Sequence, residues 1–299
     1  MKHPLRFLAV LVLALAEGLG AQGASAPVPG RRSNPTRPAP STATAGSIRI
    51  ATFNIQNFGP SKAARPEVMA ALAAIIQKFD VVAVQEVSDS SGRAPRALLD
   101  RVNSSGPEYG LLLSERTGKQ TDDRTSQEAY AFYYRKSSVA PRDAGTIYPD
   151  EAHDYFQREP YVAGFVAGAR RFVLITIHTR PEAAVEEIGA LAHVIEWART
   201  RYPGEDDFVA LGDFNGSGNY ARPADLIILR ATLPFLWVVP DNADTNVSAS
   251  TALAYDRIII TNGLRPNYRS SWGVDRAFSG SEISDHWPVW FELRLEPTN

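Results

Sequence analysis

Residues 172–215 read FVLITIHTRPEAAVEEIGALAHVIEWARTRYPGEDDFVALGDFN, and this stretch decides the fold. Phe172 to His178 is an apolar run of strand length. From Glu182 to Thr200 the period changes: Val185, Ile188, Leu191, Ala192, Ile195 and Ala198 fall on one side of what reads as the longest helix. Phe208 to Leu211 is a second short apolar strand, and it runs straight into Gly212-Asp213-Phe214-Asn215. The unit is strand, helix, strand.

The same alternation extends in both directions. Upstream, Ile48 to Phe53 alternates as a strand. Pro66 then opens a helix that carries Val68, Met69, Leu72, Ile75, Ile76 and Phe79 on one face. Val81 to Val84 is a buried strand ending in Gln85 and Glu86, and a second helix covers Pro95 to Val102. Strands are expected at Tyr109–Ser114, Ala129–Tyr134 and Tyr161–Val166. Downstream come a short helix at Ala224–Leu229 and strands at Phe235–Val238, Tyr255–Thr261 and Trp287–Leu293. Strand–helix–strand units mixed with hairpins predict an α/β sandwich of two sheets flanked by helices, one domain over residues 47–299.

The N-terminal part reads differently. Lys2 and Arg6 precede an apolar run from Phe7 to Leu15, followed by small residues through Ala26. That is the grammar of a signal peptide, expected over residues 1–26, and it implies a secreted or periplasmic destination. The run is about half the roughly 20 residues needed to span a bilayer. Residues 27–46 are rich in Pro, Ser and Thr without an aromatic residue, so they cannot bury enough surface to offset their ordering entropy and read as a disordered linker.

Composition narrows the chemistry further. The 299 residues contain no cysteine, which excludes a disulfide framework and a thiolate metal site. Five of the 31 basic residues and one of the 33 acidic ones precede residue 47; the remainder holds 26 against 32, a formal charge of −6. A protein that merely coats nucleic acid is basic. An anionic substrate must therefore be met locally here, by a metal ion and a few cations. No amphipathic seam is left unassigned, so a monomer is expected.

Acidic and amide residues recur at strand ends: Asn54, Glu86, Asp213, Asn215, Asp256 and Asp285. Ends on one edge of a sandwich come together, and such oxygen ligands suit Mg²⁺, Mn²⁺ or Ca²⁺ rather than zinc. Each alone is more simply a turn former; six together with two histidines are harder to explain that way. His178 ends a strand and His286 sits in Ser284-Asp285-His286 just before one, where an imidazole can trade protons near neutral pH. His3 lies in the expected leader, His153 in a loop and His193 inside a helix, which makes them poorer candidates.

The blocks ATFNIQNFG (51–59), VVAVQEV (81–87), LGDFNGS (211–217), YDRIII (255–260) and ISDHWPV (283–289) resemble the endonuclease/exonuclease/phosphatase superfamily in order and spacing. EAYAFYYR (128–135), FQREP (156–160), NYARP (219–223), PDNADT (240–245) and TALAYDRI (251–258) look like its deoxyribonuclease I branch. The resemblance covers residues 47–295. It implies a four-layer α/β/β/α sandwich and a metal-dependent endonuclease acting on DNA to leave 5′-phosphates. It also implies roles. Glu86 with Asn54 and Asp285 matches the metal ligands, and Asp213 and Asn215 match the pair beside the scissile phosphate. His178 and His286 match the catalytic histidines, partnered by Glu128 and Asp256. Arg158, Thr251 and Tyr255 match phosphate-side positions. Mg²⁺ or Mn²⁺ is the expected catalytic ion, with Ca²⁺ as a structural one and no stable membrane association.

The departures concern substrate. Where the branch carries a groove-probing arginine after QEV and a tyrosine two residues before the histidine-pairing glutamate, this chain has Ser88 and Ser126. Arg93, Lys119 and Arg124 are the nearby cations that could replace them, though each reads more simply as solvated surface. A disulfide common in the branch has Gly218 and Leu253 in its place, so that corner must be held by packing or by Ca²⁺. A lipid or inositol-phosphate phosphodiesterase of sphingomyelinase type is the alternative within the superfamily. A secreted genotoxic subunit would share the chemistry but need partner chains, and an inactive binding module is the alternative outside enzymes.

Overall fold

The computed structural model describes residues 46–118, 127–248 and 250–296. The expected leader, the linker up to residue 45, and Lys119, Arg124 and Ser126 lie outside the described residues.

In chain order the elements are β1 (Ser47–Asn54), α1 (Pro60–Ala63), α2 (Pro66–Ile76), β2 (Val81–Val87), α3 (Arg93–Val102), β3 (Tyr109–Leu113) and β4 (Ala129–Arg135). Then follow the short β5 (Ala140–Pro141) and β6 (Thr146–Ile147), β7 (Tyr161–Ala167), β8 (Arg170–His178), α4 (Ala184–Arg201) and β9 (Phe208–Asp213). The last group is α5 (Pro223–Thr232), β10 (Leu236–Trp237), β11 (Asp256–Ile260), β12 (Tyr268–Val274) and β13 (Val289–Arg294). One sheet runs β12-β13-β1-β2-β4-β3; the other runs β10-β11-β9-β8-β7-β5, with β6 also on β7.

Side-chain alternation along each strand explains the layering. Ile48 and Ile50 of β1 join Phe172, Leu174, Val209, Leu211 and Ile258 in a core between the two sheets. The intervening Ala51 and Phe53 pack instead with Val68, Leu72 and Ile76 of α2 and Leu98 of α3. On the second sheet Val173, Ile175, Phe208 and Ala210 pack on Ile188, Leu191 and Ile195 of α4 and Leu226 of α5. The order is helices, sheet, sheet, helices: the expected four layers. Truncating an inter-sheet residue such as Leu174 to Ala would cost about 2–5 kcal/mol.

The two sheets carry matching parallel pairs. β1 pairs β2 in parallel across α2, and β8 pairs β9 in parallel across α4, as a helical crossover between neighbouring strands requires. Proline sits in the first turn of α1, α2 and α5, where its fixed φ suits a helix start and its missing N–H costs nothing.

Several boundaries differ from the sequence expectation. The helix expected from Glu182 opens with a 3₁₀ turn, Pro181–Ala183, and becomes α-helical at Ala184. β9 extends two residues past Leu211 to Asp213, and the final strand starts at Val289 rather than Trp287 because Pro288 has no N–H to donate. β12 was not anticipated. It is an edge strand with a register shift between Tyr268 and Trp272 and a left-handed Ser270 (φ 55°), which breaks the alternation that betrays a strand.

Candidate active site

Strand parity places the site. On β8, His178 has the same parity as Phe172 and Leu174; on β9, Asp213 follows Val209 and Leu211; on β11, Asp256 follows Ile258 and Ile260. Asn54 closes the same series after Ile48 and Ile50. All four residues therefore continue the inter-sheet face past the end of the apolar core. Register aligns them: Asp213 sits opposite His178 on one side and opposite Asp256 on the other. Just below runs a polar layer, in which Thr52 Oγ1 donates to Gln85 Oε1 (3.1 Å) and Gln85 Nε2 donates to Thr176 Oγ1 (2.8 Å) across the sheets. Gly212 lets β9 pair closely with β8 beside these residues: a Cβ there would lie 1.9 Å from the Ile177 carbonyl oxygen.

Asp213 is the hub. Its Oδ2 lies 3.6 Å from His178 Nε2 and 3.5 Å from His286 Nε2, and it accepts a hydrogen bond from Asn54 Nδ2 (3.0 Å). Its Oδ1 accepts from the backbone N–H of Asn215 (2.9 Å), a residue held left-handed at φ 46°. Asn215 Nδ2 donates to the Thr179 carbonyl (3.0 Å). Behind each imidazole stands a carboxylate: Glu128 Oε2 at 2.9 Å from His178 Nδ1, and Asp256 Oδ2 at 2.9 Å from His286 Nδ1. A carboxylate can only accept, so it fixes the proton on Nδ1 and leaves Nε2 for exchange. Both Nε2 atoms thus face the same carboxylate oxygen.

Burial and charge compete at each histidine. Burial alone would lower His286, but Asp256 and Asp213 overcome it and hold the imidazolium up to about 10. At His178 burial again pulls down and Glu128 pulls up, with Arg158 opposing; the net shift is upward. Asp213 is pushed up by burial, yet the two histidines and the Asn215 and Asn54 hydrogen bonds bring it below the ordinary carboxylate range.

The turn carrying His286 is anchored from below. Ser284 Oγ donates to the Asn54 carbonyl (2.7 Å) and accepts from the His286 N–H (3.1 Å), while His286 bridges to Asn246. Glu86 needs a different device. Strand parity would send it toward the helices, but a bulge between Val84 and Val87 and a left-handed φ of 61° re-aim it. Its Oε1 accepts from Asn54 Nδ2 (2.8 Å) and its Oε2 from the Asn57 N–H (2.7 Å). Gln56 and Asn57 are themselves left-handed. Asp285 is exposed beside this corner.

The donor chemistry of Glu86, Asn54 and Asp285 fits a hard divalent cation, because all three offer oxygen and Glu86 keeps lone pairs beyond its two hydrogen bonds. Ligand atoms of Asp213, Asp256 and His286 also lie within 4.8 Å of one another. There, however, the His286–Asp256 hydrogen bond already occupies Nδ1, which favours proton handling over ligation.

The other sequence candidates are distributed around this centre. The Arg158 guanidinium is buried: its Nε donates to the His178 carbonyl (3.0 Å), its Nη2 to the Thr179 carbonyl (2.9 Å), and its Nη1 lies 3.8 Å from Glu128 Oε1. Tyr255 stands between Tyr220 and His286, with ring centroids 5.9 and 6.0 Å away. Thr251 is exposed, its hydroxyl 3.2 Å from the Asn246 amide. Leu253 packs on Gly218, where a Cβ would come within 3.2 Å, so packing closes the corner that lacks a disulfide.

Two residues escaped the sequence reading. Lys62 Nζ donates to the Ile55 and Gln56 carbonyls (2.7 Å each), clamping the turn that supplies N–H groups to Asn54 and Glu86; burial lowers it to about 8 despite the Asp285 and Glu86 charges. Arg116 donates from Nη1 to the Ser88 carbonyl (2.7 Å) and from Nη2 to the Gln127 carbonyl, tying the strand exit after Glu86 to the residue before Glu128. Neither belongs to a local motif; their contacts are with carbonyls that any residue carries.

Comparison with known proteins identifies the family and the fold. The model of the "Endonuclease/Exonuclease/phosphatase family" matches residues 51–286. Deoxyribonuclease gamma of Rattus norvegicus is 34% identical over 268 residues, covering 83% of this chain and 85% of that protein. Deoxyribonuclease-1 of Oryctolagus cuniculus is 35% identical over 266 residues, covering 82% and 92%. Among solved structures, an endonuclease/exonuclease/phosphatase from Bacteroides vulgatus superposes with a TM-score of 0.60 at 20% identity, covering 84% of this chain and 99% of that one. TDP2 of D. rerio, complexed with single strand DNA product, gives 0.59 at 16% identity, covering 82% and 98%. These structures share the fold.

Proposed function

The chain belongs to the endonuclease/exonuclease/phosphatase family of phosphodiester hydrolases, and on that footing we propose that it is a secreted, metal-dependent endonuclease that cuts DNA to 5′-phosphate products. The observation that carries the reading is the convergence of two carboxylate-backed histidines on one oxygen of Asp213. The DNA assignment is supported by the similarity to deoxyribonucleases over most of the chain. Secretion is supported by the charged, apolar and small-residue order of residues 1–26. No helix among the described residues is long and apolar enough to cross a membrane. The protein is proposed to act as a monomer.

A phosphodiester is anionic and repels an incoming hydroxide. Glu86, with Asn54 and Asp285, would hold Mg²⁺ or Mn²⁺, which neutralises phosphoryl oxygens as charge builds. Asp213 and Asn215 orient water and phosphate beside it. His178, whose protonated form is opposed by Arg158, takes the proton from the attacking water at Nε2. His286, the imidazolium faced by two carboxylates, delivers a proton to the leaving 3′ oxygen. Glu128 and Asp256 keep the rings in the productive tautomer. The buried Arg158 braces this wing: it joins Glu128 to the His178–Thr179 backbone, and its positive charge favours phosphate nearby.

A second ion, Ca²⁺, is proposed to be structural. Asp150 is buried with Oδ1 lacking a hydrogen-bond partner; burial, with the Glu159 and Asp154 charges, pushes its carboxyl up. A cation there would relieve the repulsion, so chelator should lower the melting temperature as well as abolish cutting.

The direct test is nicking of supercoiled plasmid with Mg²⁺, Mn²⁺ or Ca²⁺, beside sphingomyelin liposomes. Metal-dependent nicking that disappears in Glu86→Ala is expected. Intact plasmid under all three ions would refute the nuclease reading, and lipid hydrolysis instead would move the substrate class.

A further inference from the structure

The turn that carries His286 is paired along a short antiparallel ladder. The Trp287 N–H donates to the Thr245 carbonyl (2.8 Å), the Val247 N–H donates to the Asp285 carbonyl (2.7 Å), and Asn246 bridges His286 between them. The same loop holds the partner of the histidine, because Thr245 Oγ1 accepts from the Asp256 N–H (3.2 Å). One side chain spans the end of this ladder. Arg276, two residues after β12, donates from Nη1 to Asp244 Oδ2 (3.1 Å) and from Nη2 to the Asp244 carbonyl (2.8 Å). Its guanidinium carbon lies 4.1 Å from the centre of the Trp287 ring. We propose that Arg276 is a positioning residue: its guanidinium locks the Asp244–Val247 loop to Trp287 and so sets His286 against Asp256 for the reaction. The inference rests on the phosphodiesterase reading and adds a residue to its His286 wing.

The acceptors make this more than a surface ion pair. A pair between two exposed side chains contributes little. Here the Asp244 side chain is only 9% exposed, and its second oxygen, Oδ1, lies 2.9 Å from the Asn246 amide. Removing Arg276 would leave a buried carboxylate without its cation, two residues from the one that bridges His286. The planar guanidinium meets three groups at once: a carboxylate, a carbonyl and an indole face. A lysine ammonium would carry the charge but not the plane. Trp287 is fixed a second time, since its Nε1 donates to the Phe278 carbonyl (2.8 Å) in the segment that follows Arg276.

The clamp also shares its loop with the corner that lacks a disulfide. Leu253, which packs on Gly218, accepts at its carbonyl from the Thr245 N–H (2.9 Å). Packing holds one side of that loop and the guanidinium holds the other. Because its donors are engaged by Asp244 and its face by Trp287, Arg276 acts on the chemistry through His286 and not on the substrate strand.

The experiment measures kcat and KM for wild type, Arg276→Ala and Arg276→Lys on an oligonucleotide and on bis(4-nitrophenyl) phosphate, with and without millimolar guanidinium. Circular dichroism checks the fold of each variant, and rates are taken per folded molecule. Arg276→Ala should lower kcat about 10–100-fold on both substrates, the scale of a misplaced catalytic group. KM should change less than about 3-fold, because no substrate contact is lost. Guanidinium should restore part of the lost kcat to Arg276→Ala and leave wild type unchanged. General loosening of the fold cannot give that rescue, since guanidinium weakens folds. Arg276→Lys should lower kcat at unchanged KM, because an ammonium cannot bridge both oxygens and cover the ring; it carries the test where Arg276→Ala does not fold. Unchanged kcat in both variants, or a kcat loss that guanidinium only deepens, would overturn the inference. So would a rise in KM with a shallower salt dependence, which would make Arg276 a phosphate contact instead. A wild type that cuts the minimal diester but shows one of those results fails only here; one that cuts neither diester nor DNA fails at the phosphodiesterase reading itself.

Discussion

The two histidine wings are built from the same parts but balanced differently. On the His286 wing the partner, Asp256, is fully buried, and both neighbouring charges, Asp256 and Asp213, are negative. On the His178 wing the partner, Glu128, lies in a side-chain environment that also contains the Arg158 guanidinium at 3.8 Å. Burial pushes Glu128 up, but His178 and Arg158 bring it below the ordinary carboxylate range. A third carboxylate, Glu187, stands behind this wing and accepts from the Gln157 and Arg180 N–H groups. The difference teaches how the proposed acid and the proposed base can be told apart within reach of the same oxygen. Two carboxylates hold the proton on His286, while at His178 Arg158 opposes part of the rise that Glu128 causes.

The most severe way to break this pairing is to remove a ring. His286→Ala and His178→Ala should each lower kcat by about 10²–10⁴-fold in folded protein, measured on plasmid or oligonucleotide. Near-normal rates in either would end the two-histidine scheme. Removing a partner should cost less, about 10–100-fold near neutral pH, and should separate the wings by direction.

His286 is charged below about 10, so wild-type activity should fall as pH rises through that value, when the acid is lost. His178 is also raised, so its base form emerges only above the ordinary histidine value, and activity should climb there. Asp256→Asn should bring the alkaline limb down in pH; Glu128→Gln should bring the rising limb down. A pH–rate profile in which the two variants exchange these effects would reverse the assignment of acid and base.

The smallest expected effect is on stability. Burial raises Glu187 from 4.5 to about 7 in the folded protein. The folded state then binds the extra proton, so its stability falls as pH rises from about 4.5 to 7. Glu187→Gln should flatten that fall and gain at most about 3 kcal/mol above pH 7, read as a melting temperature that depends less on pH. An unchanged profile would show that the His178 wing carries no such strain.

Much of the site was legible because strand parity is local. Ile48 and Ile50 predict the side on which Asn54 falls; Leu174 predicts it for His178, Leu211 for Asp213 and Ile258 for Asp256. The strands themselves were readable from apolar runs, apart from the two-residue β5 and β6, too short to show a pattern, and β12, whose shifted register and left-handed Ser270 disguise it. Glu86 was readable as a strand-end carboxylate, but its aim was not. Parity pointed it at the helices, and the bulge turned it to Asn54 and the Asn57 N–H.

The sequence by itself determined the layer order, the family blocks and the identity of the polar strand-end residues, because period and residue type are properties of neighbouring positions. Tertiary structure alone decided that His178 and His286, 108 positions apart in the chain, would share one oxygen of Asp213. It decided that Arg116 would tie the exit after Glu86 to the approach to Glu128. It also decided that a cavity lined by two distant loops would open beside His286. Such contacts depend on strand order and on backbone carbonyls, which every residue has and no motif records.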